Sequence, residues 1–247
     1  MEDTKNGKSN AEKFIGIYNE IDRYMRKSLD EDERIGHVDL IKKMVKKSRV
    51  FAKNKDELML FARLRNSIVH NPYNSEIDPI AEPHEKIVIK YKDIRDKVLD
   101  PARALDTIAV TGKKIYSVTE EEFVVDVMEI MKDNGYANVP VVDNEGLIKG
   151  VFSENTVFSY IIENDGVQIK RSTRISEFKE FIPMEKHESE FFIFVPKDSL
   201  VVEVEELFQK RLKGKKKLAL VFITETGKVK EKILGLITAW DIASNYK

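Results

Sequence analysis

The sequence has no cysteine, so disulfides, cysteine zinc sites and thiol nucleophiles are all excluded. It holds a single tryptophan and, with 42 basic residues against 43 acidic ones, almost no net charge. That balance excludes the overall basic footprint of a protein that coats nucleic acid through its phosphates, and leaves only local basic faces such as Lys42, Lys43, Lys46, Lys47 and Arg49. No run approaches the ~18 apolar residues of a membrane span. Residues 1–10 are polar and are expected to form a flexible N-terminus, so the reading is a cytoplasmic protein without a membrane partner. At about 100–200 residues per domain, 247 residues suffice for one or two domains with their own cores.

The first hundred residues carry helical periodicity. Phe14, Ile17, Ile21 and Met25 recur at the three-or-four spacing of one buried stripe, which predicts a helix over 11–29 behind a Ser9-Asn10 cap. A second helix is expected over 37–50. A third is expected over 56–70, where Glu57, Phe61, Leu64 and Ile68 share a stripe and Pro72 supplies the stop. The three prolines between 71 and 85 predict a loop. Ile87, Tyr91, Ile94 and Val98 then predict a fourth helix, although the alternation at 87–89 also allows a short strand. The result is a compact helical bundle over 11–105.

The remainder repeats itself. Ile115-Tyr116-Ser117-Val118 followed by Phe123-Val124-Val125 returns as Ile193-Phe194-Val195-Pro196 followed by Leu200-Val201-Val202. Val139-Pro140-Val141-Val142-Asp143, Gly146 and Gly150-Val151-Phe152-Ser153 return as Leu220-Val221-Phe222-Ile223-Thr224, Gly227 and Gly235-Leu236-Ile237-Thr238. Each copy reads as strand, helix, a strand hairpin around a glycine turn, then helix. One copy leaves a sheet face uncovered, so the two, 106–165 and 166–247, are expected to pack together. The second copy carries polar insertions near 213–215 and 228–231. The fold class is therefore α+β.

The Val-Pro-Val-Val-Asp strand and the Gly-apolar-x-Ser/Thr-x-x-Asp junction resemble the CBS motif, named after cystathionine β-synthase, and the two copies resemble a tandem CBS pair. Gly235-Leu236-Ile237-Thr238-Ala239-Trp240-Asp241 fits the junction completely. The resemblance implies an adenosine nucleotide or related adenosyl ligand, bound for regulation, with Thr238 on phosphate and Asp241 on the ribose hydroxyls. The chemistry suits them, because a hydroxyl at a helix start can donate to phosphate and a carboxylate can accept from two hydroxyls. The base is then expected against Ile108, Ala109, Asn138 and Val139. The first copy keeps Ser153 but has Thr156 in place of the carboxylate, so its cleft is expected to be weak, altered or empty. The plainer alternative for Ser153, Thr238 and Asp241 is helix capping.

Arg65-Asn66 followed by His70 resembles the signature of HEPN helical domains, many of which are metal-independent ribonucleases acting across a dimer. The resemblance implies His70 as proton-transfer group, Arg65 on the phosphorane charge and Asn66 orienting the phosphate. Helical arithmetic at about 100° per residue puts His70 and Asn66 opposite the buried stripe and Arg65 near its edge. The alternative leaves Arg65 snorkelling beside the core and His70 closing a helix. Together these point to a homodimeric sensor of adenine nucleotides whose CBS pair biases a HEPN-like domain. The alternatives are a ligand-gated endoribonuclease acting on RNA and an inactive scaffold. No metal site is expected.

Overall fold

The computed structural model describes residues 8–69, 79–210 and 216–244. The chain divides into two compact units, Met1–Pro101 and Ala102–Lys247. The first is helical and the second mixes strands with helices, giving the α+β class. Among the described residues, no helix is long and apolar enough to cross a membrane.

The helical unit contains α1 (Asn10–Leu29), α2 (His37–Lys47), α3 (Arg49–Lys53), α4 (Lys55–Val69) and α5 (Glu85–Leu99). A capping box starts α1: the Ser9 hydroxyl accepts from Glu12 N at 3.1 Å, and Glu12 accepts from Ser9 N at 2.7 Å. The stripe Phe14, Ile17, Ile21 and Met25 is buried as the periodicity requires. The single helix expected over 37–50 is broken, because the Ser48 backbone is extended and its hydroxyl caps a new start at Phe51 N. No strand forms at 87–89, where Val88 and Tyr91 face the core of α5. Phe14, Phe61 and Tyr91 from three helices meet edge-on or tilted, with centroids 4.6 to 5.8 Å apart.

The second unit opens with α6 (Ala104–Thr107), β1 (Val110–Thr111) and a 3₁₀ turn at Gly112–Lys114. The first copy continues with α7 (Val124–Asn134), β2 (Asn138–Val142), β3 (Ile148–Ser153) and α8 (Glu154–Glu163). The second comprises β4 (Glu190–Pro196), α9 (Val201–Gln209), β5 (Lys217–Thr224), β6 (Gly235–Ile237) and α10 (Ala239–Ser244). The expected insertion near 213–215 lies outside the described residues.

The two copies differ where the sequence predicts equal first strands. In the second, β4 pairs in parallel with β5 from Glu190 to Pro196. In the first, only Val118 pairs, donating to Pro140 O and accepting from Val142 N. Extending that parallel ladder back to Tyr116 would need an N–H at residue 140, and proline has none. The matching residue of the second copy is Val221, which pairs with Ile193. β1 instead joins the second copy, pairing with β6 in a sheet of order β1-β6-β5-β4, while β2 and β3 form a separate hairpin.

Each copy has its own core, Val118, Val127, Val139 and Phe152 in the first, joined by Phe178 from the segment after α8, and Val204, Val221, Ile223 and Ile237 in the second. A third cluster, Ile148, Val151, Leu220, Phe222 and Leu236, draws on both copies and packs them together. Gly150 lies in that seam because a Cβ there would stand 2.1 Å from the Ile182 carbonyl oxygen.

Candidate functional site

A cavity of about 580 Å³ opens between the two copies. One wall is the turn from α7 into β2, residues Asn134 to Asn138, where α7 ends at Gly135 with φ +70°. That left-handed value lets the chain reverse at once into the strand. The opposite wall is the β6–α10 junction, with Leu236, Thr238, Trp240 and Asp241. Val110, Lys114 and Tyr116 close a third side.

Thr238 and Asp241 stand together. The Thr238 backbone N–H and hydroxyl both donate to Asp241 Oδ2 at 2.7 Å, and the Trp240 and Asp241 amides donate to Thr238 Oγ1 at 3.2 and 3.4 Å. The capping geometry is thus real. It uses one carboxylate oxygen, and a carboxylate has a second with which to accept. Trp240 is 84% exposed at the rim.

Across the cavity, Asn138 Oδ1 and the Tyr116 hydroxyl are buried and have no hydrogen-bond partner among the described residues. Unpaired groups of that kind are costly unless water or a ligand meets them. Burial also pushes the Tyr116 hydroxyl above its ordinary pKa, with Glu122 and Asp126 adding to the effect, so it remains a neutral donor and acceptor. Tyr116 stacks on Tyr136 at 5.9 Å, which makes that wall aromatic.

Of the residues expected around the base, only Asn138 lines the cavity. Val139 is buried in the first copy's core. Ile108 is buried in the second copy's core, Ala109 packs on the same cluster, and Val110 is the residue that reaches the wall. The same segment packs closely on β6, because a Cβ at Gly235 would come within 2.9 Å of Leu105 and 3.1 Å of Ala109. Tyr116, Tyr136 and Lys114 were absent from the sequence expectation. The signal for them was the aromatic and basic character of the segments flanking the first helix.

Ser153 and Thr156 form a closed pair. Ser153 Oγ accepts from Thr156 N at 3.2 Å, Thr156 Oγ1 accepts from Ser153 N at 3.1 Å, and both side chains are buried. A second cavity of about 670 Å³ lies beside them, bordered by Asn155, Thr156, Phe158 and His187.

In the helical unit, Arg65 lays its guanidinium over the Tyr18 ring at 5.1 Å and contacts Asn66 Oδ1 at 3.5 Å, while its Nε is buried without a partner among the described residues. Asn66 is exposed. His70, the third member of the expected site, lies outside the described residues. The sequence reading missed His37, whose Nδ1 is 2.7 Å from Asp22 and whose ring stacks on Tyr18 at 3.9 Å. The available signal was Tyr18, Asp22 and Arg26 at four-residue spacing along α1.

Residues 108–163 match the family model of the CBS domain. No curated protein matches the chain. Among solved structures, a CBS domain protein from Streptococcus pneumoniae is similar over 64% of this chain and 89% of its own, at 16% identity and a TM-score of 0.43. A CBS domain pair in complex with 5′-methylthioadenosine and S-adenosyl-L-methionine is similar over 59% of this chain and 96% of its own, at 14% identity and a TM-score of 0.40. CbpB in complex with c-di-AMP is similar over 63% of this chain and 89% of its own, at 14% identity and a TM-score of 0.43.

Proposed function

We propose that the protein is a sensor of adenosine nucleotides or related adenosyl ligands, whose occupancy biases the helical unit. The observation that carries the reading is the pairing of unsatisfied groups with a charged one across a single cavity. Asn138 and Tyr116 line it from the first copy, with Asn138 Oδ1 and the Tyr116 hydroxyl buried and without a partner among the described residues, and Thr238 and Asp241 line it from the second. An adenine amino group would satisfy Asn138, two ribose hydroxyls would donate to Asp241, and Lys114 would meet phosphate. The volume suits a small ligand of nucleotide size, within the ~300–1,000 Å³ of typical pockets. No group in the cavity needs to react, and a ligand that binds one state of the protein better than another is enough to pass a signal.

The test is titration with AMP, ADP and ATP. The lone Trp240, exposed at the rim, serves as fluorescence reporter beside calorimetry. Asp241→Ala is expected to weaken binding by about 1.5–3 kcal/mol, through loss of charged hydrogen bonds. Absence of binding to wild type, or equal affinity in Asp241→Ala, removes the reading.

A second reading gives the helical unit metal-independent ribonuclease chemistry in a homodimer, through Arg65, Asn66 and His70. The Arg65–Asn66 contact favours it, since it sets a guanidinium beside an exposed amide, two groups able to donate to one phosphate.

A further inference from the structure

Trp240 stands between the two motif residues in sequence, and only its backbone serves the turn. Its N–H donates to Thr238 Oγ1 at 3.2 Å, a bond that any residue except proline could make. The indole lines the cavity and is 84% exposed, so a large apolar surface stands in water beside Thr238 and Asp241. Capping accounts for the amide and not for the ring.

Tyr136 lines the same cavity from the opposite wall and is 38% exposed. The end of α7 sets its place. Gly135 takes φ +70°, and the Tyr136 N–H reaches back to Met131 O at 2.8 Å, the bond that closes a helix whose last carbonyls would otherwise be left unpaired. Its ring stacks on that of Tyr116, with centroids 5.9 Å apart and planes at 22°. One wall therefore carries a braced aromatic ring and the other an uncommitted one.

We propose that Tyr136 and Trp240 form an aromatic clamp that takes the base of the ligand between them, so that the site selects purines through their ring faces. The proposal deepens the nucleotide reading of the Thr238–Asp241 cavity and rests on it.

Stacking suits this position because every base has a π-face, and a two-ring base offers more of it than a one-ring base. Apolar ring surface on the protein and on the ligand leaves water together. The neighbours fit the same placement: Asn138 lies two residues beyond Tyr136 on one wall, and Asp241 follows Trp240 on the other. Partners for a base edge and for ribose hydroxyls thus flank the two rings. Edge contacts then discriminate between purines, whereas the clamp supplies affinity that adenine and guanine share.

The experiment is calorimetry with AMP, GMP and CMP on full-length wild type, Trp240→Leu, Trp240→Phe, Tyr136→Leu and Asp241→Ala, with circular dichroism to check their folds. Wild type is expected to bind AMP at least about tenfold more tightly than CMP. Trp240→Leu and Tyr136→Leu should each lose about tenfold toward AMP and GMP alike, with a smaller loss toward CMP, so that the preference for purines shrinks. Trp240→Phe should recover part of the loss. In wild type, AMP should quench the emission of the lone tryptophan, and ribose 5-phosphate, which has no base, should leave it unchanged. An unchanged ratio of AMP to CMP affinity in either leucine variant overturns the clamp, since a merely structural role would weaken both ligands equally. Should Tyr136→Leu misfold, Trp240→Leu decides alone. Wild-type-like AMP binding by Asp241→Ala, with the ratio lost in Trp240→Leu, overturns the ribose assignment and leaves the clamp standing. No binding of any of the three nucleotides to wild type overturns both.

Discussion

His37 Nδ1 lies 2.7 Å from Asp22 Oδ1, with the histidine side chain 5% exposed. Burial lowers the His37 pKa, and its contact with Asp22 only partly opposes this, so the imidazole is neutral at pH 7 and donates to the carboxylate. For Asp22, burial raises the pKa, but hydrogen bonds from Arg26 and His37 prevail and the net shift is downward.

Both shifts have the same consequence in acid. Below the unfolded histidine pKa of about 6.5 the unfolded chain takes up a proton that folded His37 resists, so stability falls with pH. The Asp22 contribution is present above its unfolded pKa of about 3.9 and is lost as pH falls through the lower folded value. The melting temperature of the helical unit is therefore expected to drop between pH 7.5 and 5.5, and His37→Gln should flatten that drop. Parallel pH profiles for the variant and wild type, followed by circular dichroism, would count against the His37 assignment.

Gly150→Ala and Gly16→Ala make a contrasting pair. A methyl at Gly150 meets backbone, 2.1 Å from Ile182 O, in a seam where Val151 N also donates to that oxygen. The expected loss is about 1–3 kcal/mol or more. Gly16 lies within α1 with nothing within 4 Å of its would-be Cβ, so alanine there should stabilise by about 0.5–1 kcal/mol through helix propensity. Urea unfolding of both variants gives the two signs directly.

The ribonuclease reading predicts that EDTA-treated wild type cuts single-stranded RNA, leaving 2′,3′-cyclic phosphate ends. His70→Ala should slow cleavage by about 10²–10⁴-fold while leaving ATP binding unchanged. Background-level cleavage by both proteins, with and without ATP, ends that reading and leaves the sensor reading standing.

Local pattern made part of this site legible. Thr238 and Asp241 are three residues apart, so one turn of chain brings them together, and any sequence scan meets them as a unit. The stripe through Phe14, Ile17 and Ile21 is legible for the same reason. Asn138 and Asp241 come from different copies, and in the sequence only the resemblance links them. Ala109 and Ile108 sit one and two residues away from the wall residue Val110.

Pro140 has an effect beyond its own strand. A duplicated unit begins as two equal halves, and equal halves would send both leading segments into a sheet. With no N–H at residue 140, the first half cannot recruit its leading segment past Val118. Lys114 and Tyr116 are thereby released from ladder duty and line the cavity instead. One imino acid thus divides the labour between twins: the segment led by Glu190 becomes scaffold, and the one holding Lys114 becomes a wall of the cavity.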